Sequence, residues 1–432
     1  MHRRQLLIAG GSLMALSACA STGSGATPAA GAPTAMDLAE EGRIARAVLP
    51  AATPKAELLQ PWTGSYDGLP PFDKVTPAKL REAMLEGIEL QRADIAAIAN
   101  NPEAPTFANT MAALELAGEP LDRSRWATLE ERWFDVEHQL DTFERSIAGK
   151  AFHAETLPVF WPNLGPNVYS AFYAGRLDFA EVTSWYEPVI ADLEDLSALQ
   201  PDPFASVFFK KLEALTRAAL ERCLGRYLVG YTDYHPSLDC VAAWRGPHNL
   251  CLDLTTTPEK LAPLIERSVR DFQRLYDHFD AMLKARCQPS VTWLGIPSFG
   301  TLHIPSCDFA SMISTKHFAA FSLPCLQREI APMTHNIYHV DGRGVAQHLD
   351  VLLALPQIHA IQWVQGLGAD LPILQWVPLL QRIQAAGKSV VVDLQLEELD
   401  PFMDRMKPEG LFLCVGVEEG QEPEVVQRVE RW

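Results

Sequence analysis

No internal apolar run in this 432-residue sequence reaches the roughly 18 to 20 residues that are needed to cross a bilayer. Basic residues are also scarce, since 36 Lys and Arg are outnumbered by 54 Asp and Glu, and the formal net charge is -18. A nucleic-acid-binding surface needs clustered Lys and Arg, so this balance argues against nucleic acid as a partner. The 48% hydrophobic and 21% charged residues are typical of a globular protein with one large domain and a smaller one.

The cysteines do not form a CxxC pair, and after Cys19 an odd number of them remains. This pattern fits neither a disulfide framework nor a zinc ribbon. We therefore expect most of them to be buried thiols. The seven are Cys223, Cys240, Cys251, Cys287, Cys307, Cys325 and Cys414.

Residues 1–19 have the pattern of an export signal: Arg3 and Arg4, a short apolar segment and then small residues before Cys19. The segment resembles a bacterial lipoprotein signal, which implies lipidation of Cys19 and a membrane anchor on the periplasmic or cell-surface side. An ordinary cleaved signal is the alternative. Residues 20–60 are predicted to be a linker, because residues 20–36 are small, uncharged and rich in Gly and Pro.

A helical segment is predicted at 61–123. Thr76 and Pro77 are a typical helix start, apolar residues then recur at near-helical spacing up to Asn100, and a second helix is expected at about 106–116. The stretches PWTGSYDGLPPFDKV and IAAIANNPEAPTFANTMAALELAG resemble the N-terminal segment of the thimet-type oligopeptidases. Those enzymes hold zinc with an HExxH motif, which this sequence does not contain, so we do not expect a metallopeptidase.

From about residue 126 to 432, helical stretches alternate with short apolar runs. This alternation is typical of a parallel α/β sheet, and about 300 residues suit a (β/α)8 TIM barrel. The predicted strands lie within 156–165, 226–235, 290–298, 336–342, 360–368, 388–395 and 410–416.

Polar residues gather where these predicted strands end, and in a barrel the C-terminal strand ends surround the active site. The strand-end residues are Asp233, His235, His339, Asp341, Asp393 and Cys414. Because residues i and i+2 of a strand project to the same side, His339 and Asp341 are expected to act on one ion or one substrate. Asp308, His235 and Trp363 are further candidates for substrate binding, although Asp308 also suits a helix cap and Trp363 a core position.

The blocks SCDFASMIS, IYHVDGRGVAQHLDVLLALPQIHAIQWVQGLG and PEGLFLCVG resemble the uroporphyrinogen decarboxylase superfamily, in particular its branch of corrinoid-dependent methyltransferases. The resemblance implies a TIM barrel and, in the methyltransferase branch, a zinc ion held by an H-x-C-G pair and a later cysteine. The H-x-C-G position reads His339-Val340-Asp341-Gly342 here, and Cys414 supplies a late thiol. The resemblance thus implies His339, Asp341 and Cys414 as metal ligands, and zinc accepts these three ligand types.

Three functions follow from this interpretation. Methyl transfer with a corrinoid, as substrate or bound to a partner, is favoured. Decarboxylation of a tetrapyrrole, with Asp233 as a candidate catalytic residue, is second, because the arginine-rich RQAGR-like loop of those decarboxylases is replaced by NLGPNVYSAFYAG. A ligand-binding lipoprotein without catalysis is third.

Two roles other than metal binding are also possible for His339 and Asp341. His339 can work in acid-base catalysis, oriented by Asp341, or the two can form a structural pair. The N-terminal segment and the barrel resemble different families. If the join between the two segments is an artefact, the barrel is expected to be cytoplasmic.

Overall fold

The computed structural model describes residues 44, 47–50, 54–59, 75–106, 109–110, 113–117, 126, 128–366, 368–418 and 420–432, and the backbone of 5–10. The chain divides into two compact units, one made of residues 1–21 and 136–432 and the other of residues 22–135. The second segment of the larger unit begins at residue 136. The domain bounds expected from the sequence, with a barrel at 126–432, stay a prediction. Cys19 and most of the predicted linker lie outside the described residues. Among the residues described, no helix is both long and apolar enough to span a membrane.

The smaller unit is built on the predicted helix α1 (Pro77–Ala99), which begins where the sequence indicated. The Thr76 hydroxyl accepts a hydrogen bond from the backbone N–H of Lys79 at 3.2 Å, and Asn100 ends the helix. The helix does not bury the apolar stripe that predicted it, since large side chains such as Leu80 and Met84 are about half exposed within the whole chain. The other helices of this unit are α2 (Ala113–Leu116) and α3 (Leu129–Phe134).

The larger unit alternates strands and helices, as predicted. Its α-helices are α4 (Val136–Ile147), α5 (Val168–Ala171), α6 (Val207–Arg222), α7 (Ser237–Arg245), α8 (Pro247–Thr256), α9 (Ala262–Val269), α10 (Phe272–Lys284), α11 (Thr315–His317), α12 (Leu323–Ile330), α13 (Gly342–Ala346), α14 (Leu349–Leu353), α15 (Val377–Ala385), α16 (Leu399–Met403) and α17 (Glu422–Glu430). Its strands are β1 (Gln5–Gly10), β2 (Val159–Phe160), β3 (Leu177–Phe179), β4 (Ser184–Tyr186), β5 (Leu228–Val229), β6 (Leu302–His303), β7 (His335–Asp341), β8 (Ala360–Val364), β9 (Ser389–Gln395) and β10 (Leu411–Val417).

Six of these strands form one parallel sheet in the order β1-β10-β9-β8-β7-β6. The strands β2 and β5 form a separate parallel pair, and β3 and β4 an antiparallel hairpin that the sequence did not indicate. The fold class is therefore α/β with parallel sheets, and closure into an eight-stranded barrel stays a prediction. The expected strand at 290–298 is wrong: the stretch holds only an isolated bridge between Ser290 and Ser298, because Gly295 and Pro297 interrupt it.

Strand β1 lies within the predicted export signal and pairs with β10 along its whole length. Cleavage before Cys19 would remove this strand and leave β10 at the edge of the sheet. The same apolar segment therefore cannot both be a cleaved signal and remain in the sheet as β1.

The register of the central strands stacks an apolar layer below a polar one. Ile337, Ala360, Val391 and Phe412 share one face of β7 to β10 and pack into an apolar cluster that includes Leu302. Successive strand residues alternate between faces, so the positions two residues further along carry the next layer of the same face. That layer consists of His339, Gln362, Asp393 and Cys414.

A buried histidine–glutamate pair lies behind this sheet. The His303 Nε2 atom of β6 lies 3.4 Å from the Glu329 Oε2 atom of α12, and both side chains are almost fully buried. Burial raises the pKa of Glu329 to about 8 and lowers the pKa of His303 to about 3. Both groups are therefore uncharged at neutral pH, which avoids a buried ion pair.

This pair makes stability depend on pH above 6.5, where His303 is neutral in both the folded and unfolded states. The folded state keeps the Glu329 proton up to about pH 8, whereas the unfolded state has already lost it above about 4.5. The free energy of unfolding should therefore fall by up to about 2 kcal/mol between pH 6.5 and 8. Urea unfolding at several pH values checks this, and Glu329→Gln should reduce the slope. The slope that remains comes from His235, whose pKa of about 9 in the folded state also makes stability fall as pH rises. An unchanged slope in that variant would contradict the assignment.

Candidate functional site

Three potential metal ligands converge at the C-terminal end of β7. Ligand atoms of Asp308, His339 and Asp341 all lie within 4.8 Å of one another, and the three residues are partly buried. His339 and Asp341 project from the same face of β7, as the strand alternation predicted. Asp308 comes from the turn Asp308–Met312, which follows the loop after β6. The sequence named all three as candidates, Asp308 for substrate binding and the other two as catalytic or metal-binding residues. It did not predict that Asp308 lies beside the other two.

The His339 ring is held in an orientation that suits ligand binding. Its Nδ1 atom lies 2.6 Å from Oε1 of Gln362 on the neighbouring strand β8. Because this amide oxygen only accepts hydrogen bonds, Nδ1 carries the proton and Nε2 keeps a free lone pair. The Trp293 ring lies edge-on to the imidazole, with 5.5 Å between the ring centres.

Asp308 is fixed through both its carboxylate and its backbone. The Ser306 hydroxyl donates to Asp308 Oδ1 at 2.9 Å. The backbone N–H groups of Asp308 and Phe309 donate to the two carboxylate oxygens of Asp239, at 3.0 and 2.8 Å. The turn also lies close to α13: a Cβ atom at Gly344 would lie 2.6 Å from the Ser311 Cβ, so only glycine allows the approach.

Two histidines offset part of the negative charge of these carboxylates: His339 acts on Asp341, and His235 interacts with Asp239 and Asp308. Burial, and then repulsion from Asp308, raise the pKa of Asp341, while His339 acts in the opposite direction. Burial and Asp308 likewise raise the pKa of Asp239 to about 6. A divalent cation among these oxygens would relieve the repulsion, so the arrangement favours a cation site.

Cys414 does not join the cluster, although the sequence made it the third metal ligand. It pairs across β9 and β10 with Asp393, and the two side chains influence each other's pKa. Burial raises the pKa of both side chains, and Asp393 is also influenced by His339. Among the described residues, the third side chain of the cluster is thus Asp308 and not Cys414. The reason is the register, which places Cys414 beside β9 rather than β7.

The other predicted site residues are divided between the site and the core. His235 Nε2 lies 3.8 Å from Asp233 Oδ2. Burial acts to lower the pKa of His235, but Asp233, and then Asp239 and Asp308, raise it to about 9. This pair thus interacts with the cluster electrostatically. Trp363 lies on the opposite face of β8 from Gln362, fully buried, with its ring centre 4.8 Å from that of Trp376.

Sequence reasoning missed Gln362, Asp239 and Ser306, which hold the ligands in place. Gln362 could have been found, because it lies in a predicted strand that precedes a glycine-rich loop. No sequence pattern marked Asp239 or Ser306 as a site residue, because their roles depend on which distant segments come into contact.

No family model matches this chain. The dipeptidyl carboxypeptidases of Escherichia coli (strain K12) and Salmonella typhimurium (strain LT2) are 50% and 44% identical to it over 54 residues. That stretch is 12% of this chain and 8% of each peptidase, so the peptidase likeness is short and the chain spans under a tenth of those relatives. A solved methyltransferase from Methanosarcina mazei aligns with a TM-score of 0.45 and 10% identity, over 61% of this chain and 77% of that one.

The repulsion between the two cluster carboxylates can be measured directly. In metal-free protein, Asp308→Asn should lower the pKa of Asp341, because a neutral amide removes the neighbouring negative charge. Carbon-detected NMR of the carboxyl groups follows the titration. Asp393 is the internal control, since Asp308 does not contribute to its shift. An Asp341 pKa that stays unchanged would show that the two carboxylates do not interact.

Proposed function

We propose that this chain is a methyltransferase that uses a divalent cation and acts on a corrinoid-linked methyl group. The observation that carries the proposal is the convergence of Asp308, His339 and Asp341 within 4.8 Å at the end of β7. The resemblance of the block around HVDG to the corrinoid methyltransferase branch supports the choice of reaction. The site lies at the C-terminal ends of parallel strands, where enzymes with such sheets have their active sites, and this also supports the proposal.

The residues present fit a metal ion. His339 offers a free Nε2 lone pair, and Asp308 and Asp341 offer two carboxylates that repel one another without a cation. Zinc accepts this ligand set. Because carboxylates replace thiolates, the set is harder than that of the family it resembles, and it would also accept manganese or cobalt.

A bound cation would supply Lewis acidity, which lowers the pKa of a thiol or hydroxyl acceptor. The chain's own residues then have separate tasks. Gln362 keeps His339 in the tautomer that exposes Nε2. The Asp393 carboxylate is the candidate to receive the acceptor's proton, because its pKa is raised and it lies beside Cys414 in the same layer. The apolar layer below, which includes Ile337 and Phe412, keeps water from the floor of the site.

In the proposed reaction the acceptor thiolate forms a bond to the methyl carbon, and the cobalt–carbon bond breaks with both electrons left on cobalt. This balances without a further oxidant or reductant. Tetrapyrrole decarboxylation fits this site less well. Its substrate carries several carboxylates, and the cluster presents carboxylates of its own.

Zinc binding gives the first test of the proposal. Isothermal titration of metal-free protein should show one zinc ion per chain, and His339→Ala should weaken binding at least tenfold, because it removes the only nitrogen ligand of the cluster. His248→Ala is the matched control, since that histidine is exposed on α8. Wild-type protein that binds no zinc, or that binds it equally after loss of His339, would refute the site.

Methyl transfer is the second readout of the same variants. Methylcobalamin and a small thiol should yield the reduced cobalamin and a methyl thioether. The change in cobalamin absorbance, measured under anaerobic conditions, follows the reaction. His339→Ala should abolish this conversion, and His248→Ala should not. Zinc binding without conversion would leave a cation site and contradict the reaction.

A further inference from the structure

Asp239 contacts the backbone next to one proposed ligand rather than the cation site itself. It lies in the first turn of α7, and its partners Asp308 and Phe309 lie 69 and 70 residues further along the chain. Each of its two carboxylate oxygens accepts one backbone N–H, at 3.0 and 2.8 Å. These are charge-assisted hydrogen bonds, which are stronger than bonds between neutral groups.

The two bonds act where the chain enters the turn Asp308–Met312. The first N–H groups of such a turn have no partner inside it, so a carboxylate at this place determines where the turn begins. Ser306 holds one oxygen of the Asp308 carboxylate from the other side, at 2.9 Å. Backbone and side chain of Asp308 are therefore both restrained at the place where its carboxylate approaches His339 and Asp341.

We infer that Asp239 is a positioning residue that holds Asp308 in the geometry required for cation binding. The inference rests on the cation site proposed above. Asp239 is not a member of the ligand cluster, and each of its oxygens accepts one backbone N–H of the turn. Its role is indirect, in the way that outer residues orient the ligands of metal sites.

The chain offers a matched control for this role. Asp253 on the adjacent helix α8 is also a buried carboxylate with two hydrogen bonds, to Arg245 Nε at 2.7 Å and to an Arg245 terminal nitrogen at 3.3 Å. Its side-chain bonds among the described residues are to Arg245 and not to the turn that carries Asp308. Asp253→Asn should thus lower the thermal midpoint without changing the zinc affinity.

The experiment compares zinc titrations of the wild type, Asp239→Asn and Asp253→Asn, with the thermal midpoint measured for each. Asparagine keeps one acceptor oxygen but turns an NH2 group toward a backbone N–H, so Asp239→Asn should weaken zinc binding tenfold to a hundredfold. Adding Asp239→Asn to Asp308→Asn should cause no further loss, because the ligand to be positioned is already gone. If Asp239→Asn does not fold, Asp239→Ser, which also keeps one acceptor, replaces it with the same expected loss.

The outcomes separate this inference from the proposed function. Wild-type protein that binds no zinc overturns both. Wild-type binding with the same affinity in Asp239→Asn overturns the inference and leaves the cation site intact. An equal loss of affinity in Asp253→Asn would show that general destabilisation is the cause, and would also overturn it.

Discussion

The site depends on two carboxylates that are brought together, with a mutual repulsion that His339 and the nearby His235 offset only in part. Asp341 leaves the end of β7, and Asp308 approaches from the turn after β6, so that both lie within 4.8 Å of His339. Partial burial makes their repulsion costly, as the raised pKa of Asp341 indicates. The remaining structure restrains these groups so that they cannot simply move apart. A divalent cation bound between these groups would relieve the repulsion.

The restraints come from several levels of the fold. The alternation of β7 places Ile337 in the apolar layer and His339 above it, so the core that stabilises the sheet also fixes the histidine. Hydrogen bonds accepted by Gln362 and Asp239 and donated by Ser306 then orient the candidate ligands. Residues that belong to packing and residues that belong to the site are therefore neighbours in the same strands.

Much of this arrangement could be predicted from local patterns. The helix starting at Thr76 and the strands that carry His339, Asp393 and Cys414 follow from capping, periodicity and glycine positions. The pairing of His339 and Asp341 follows from strand alternation alone.

The rest depends on contacts between distant segments, which no local pattern encodes. Asp308 replaces Cys414 in the cluster because of how the turn after β6 packs against α13, where Gly344 permits a close approach. Asp239 lies 69 residues from the backbone that it holds. The two-residue strand β6 was too short to produce a recognisable periodicity, so its place in the sheet also stayed hidden.

The most direct test of the central claim is X-ray absorption at the zinc edge on zinc-loaded protein. Coordination by Asp308, His339 and Asp341 predicts only nitrogen and oxygen neighbours, at about 2.0–2.2 Å from the metal. A sulfur neighbour at about 2.3 Å would place Cys414 or another thiol in the site and contradict the assignment.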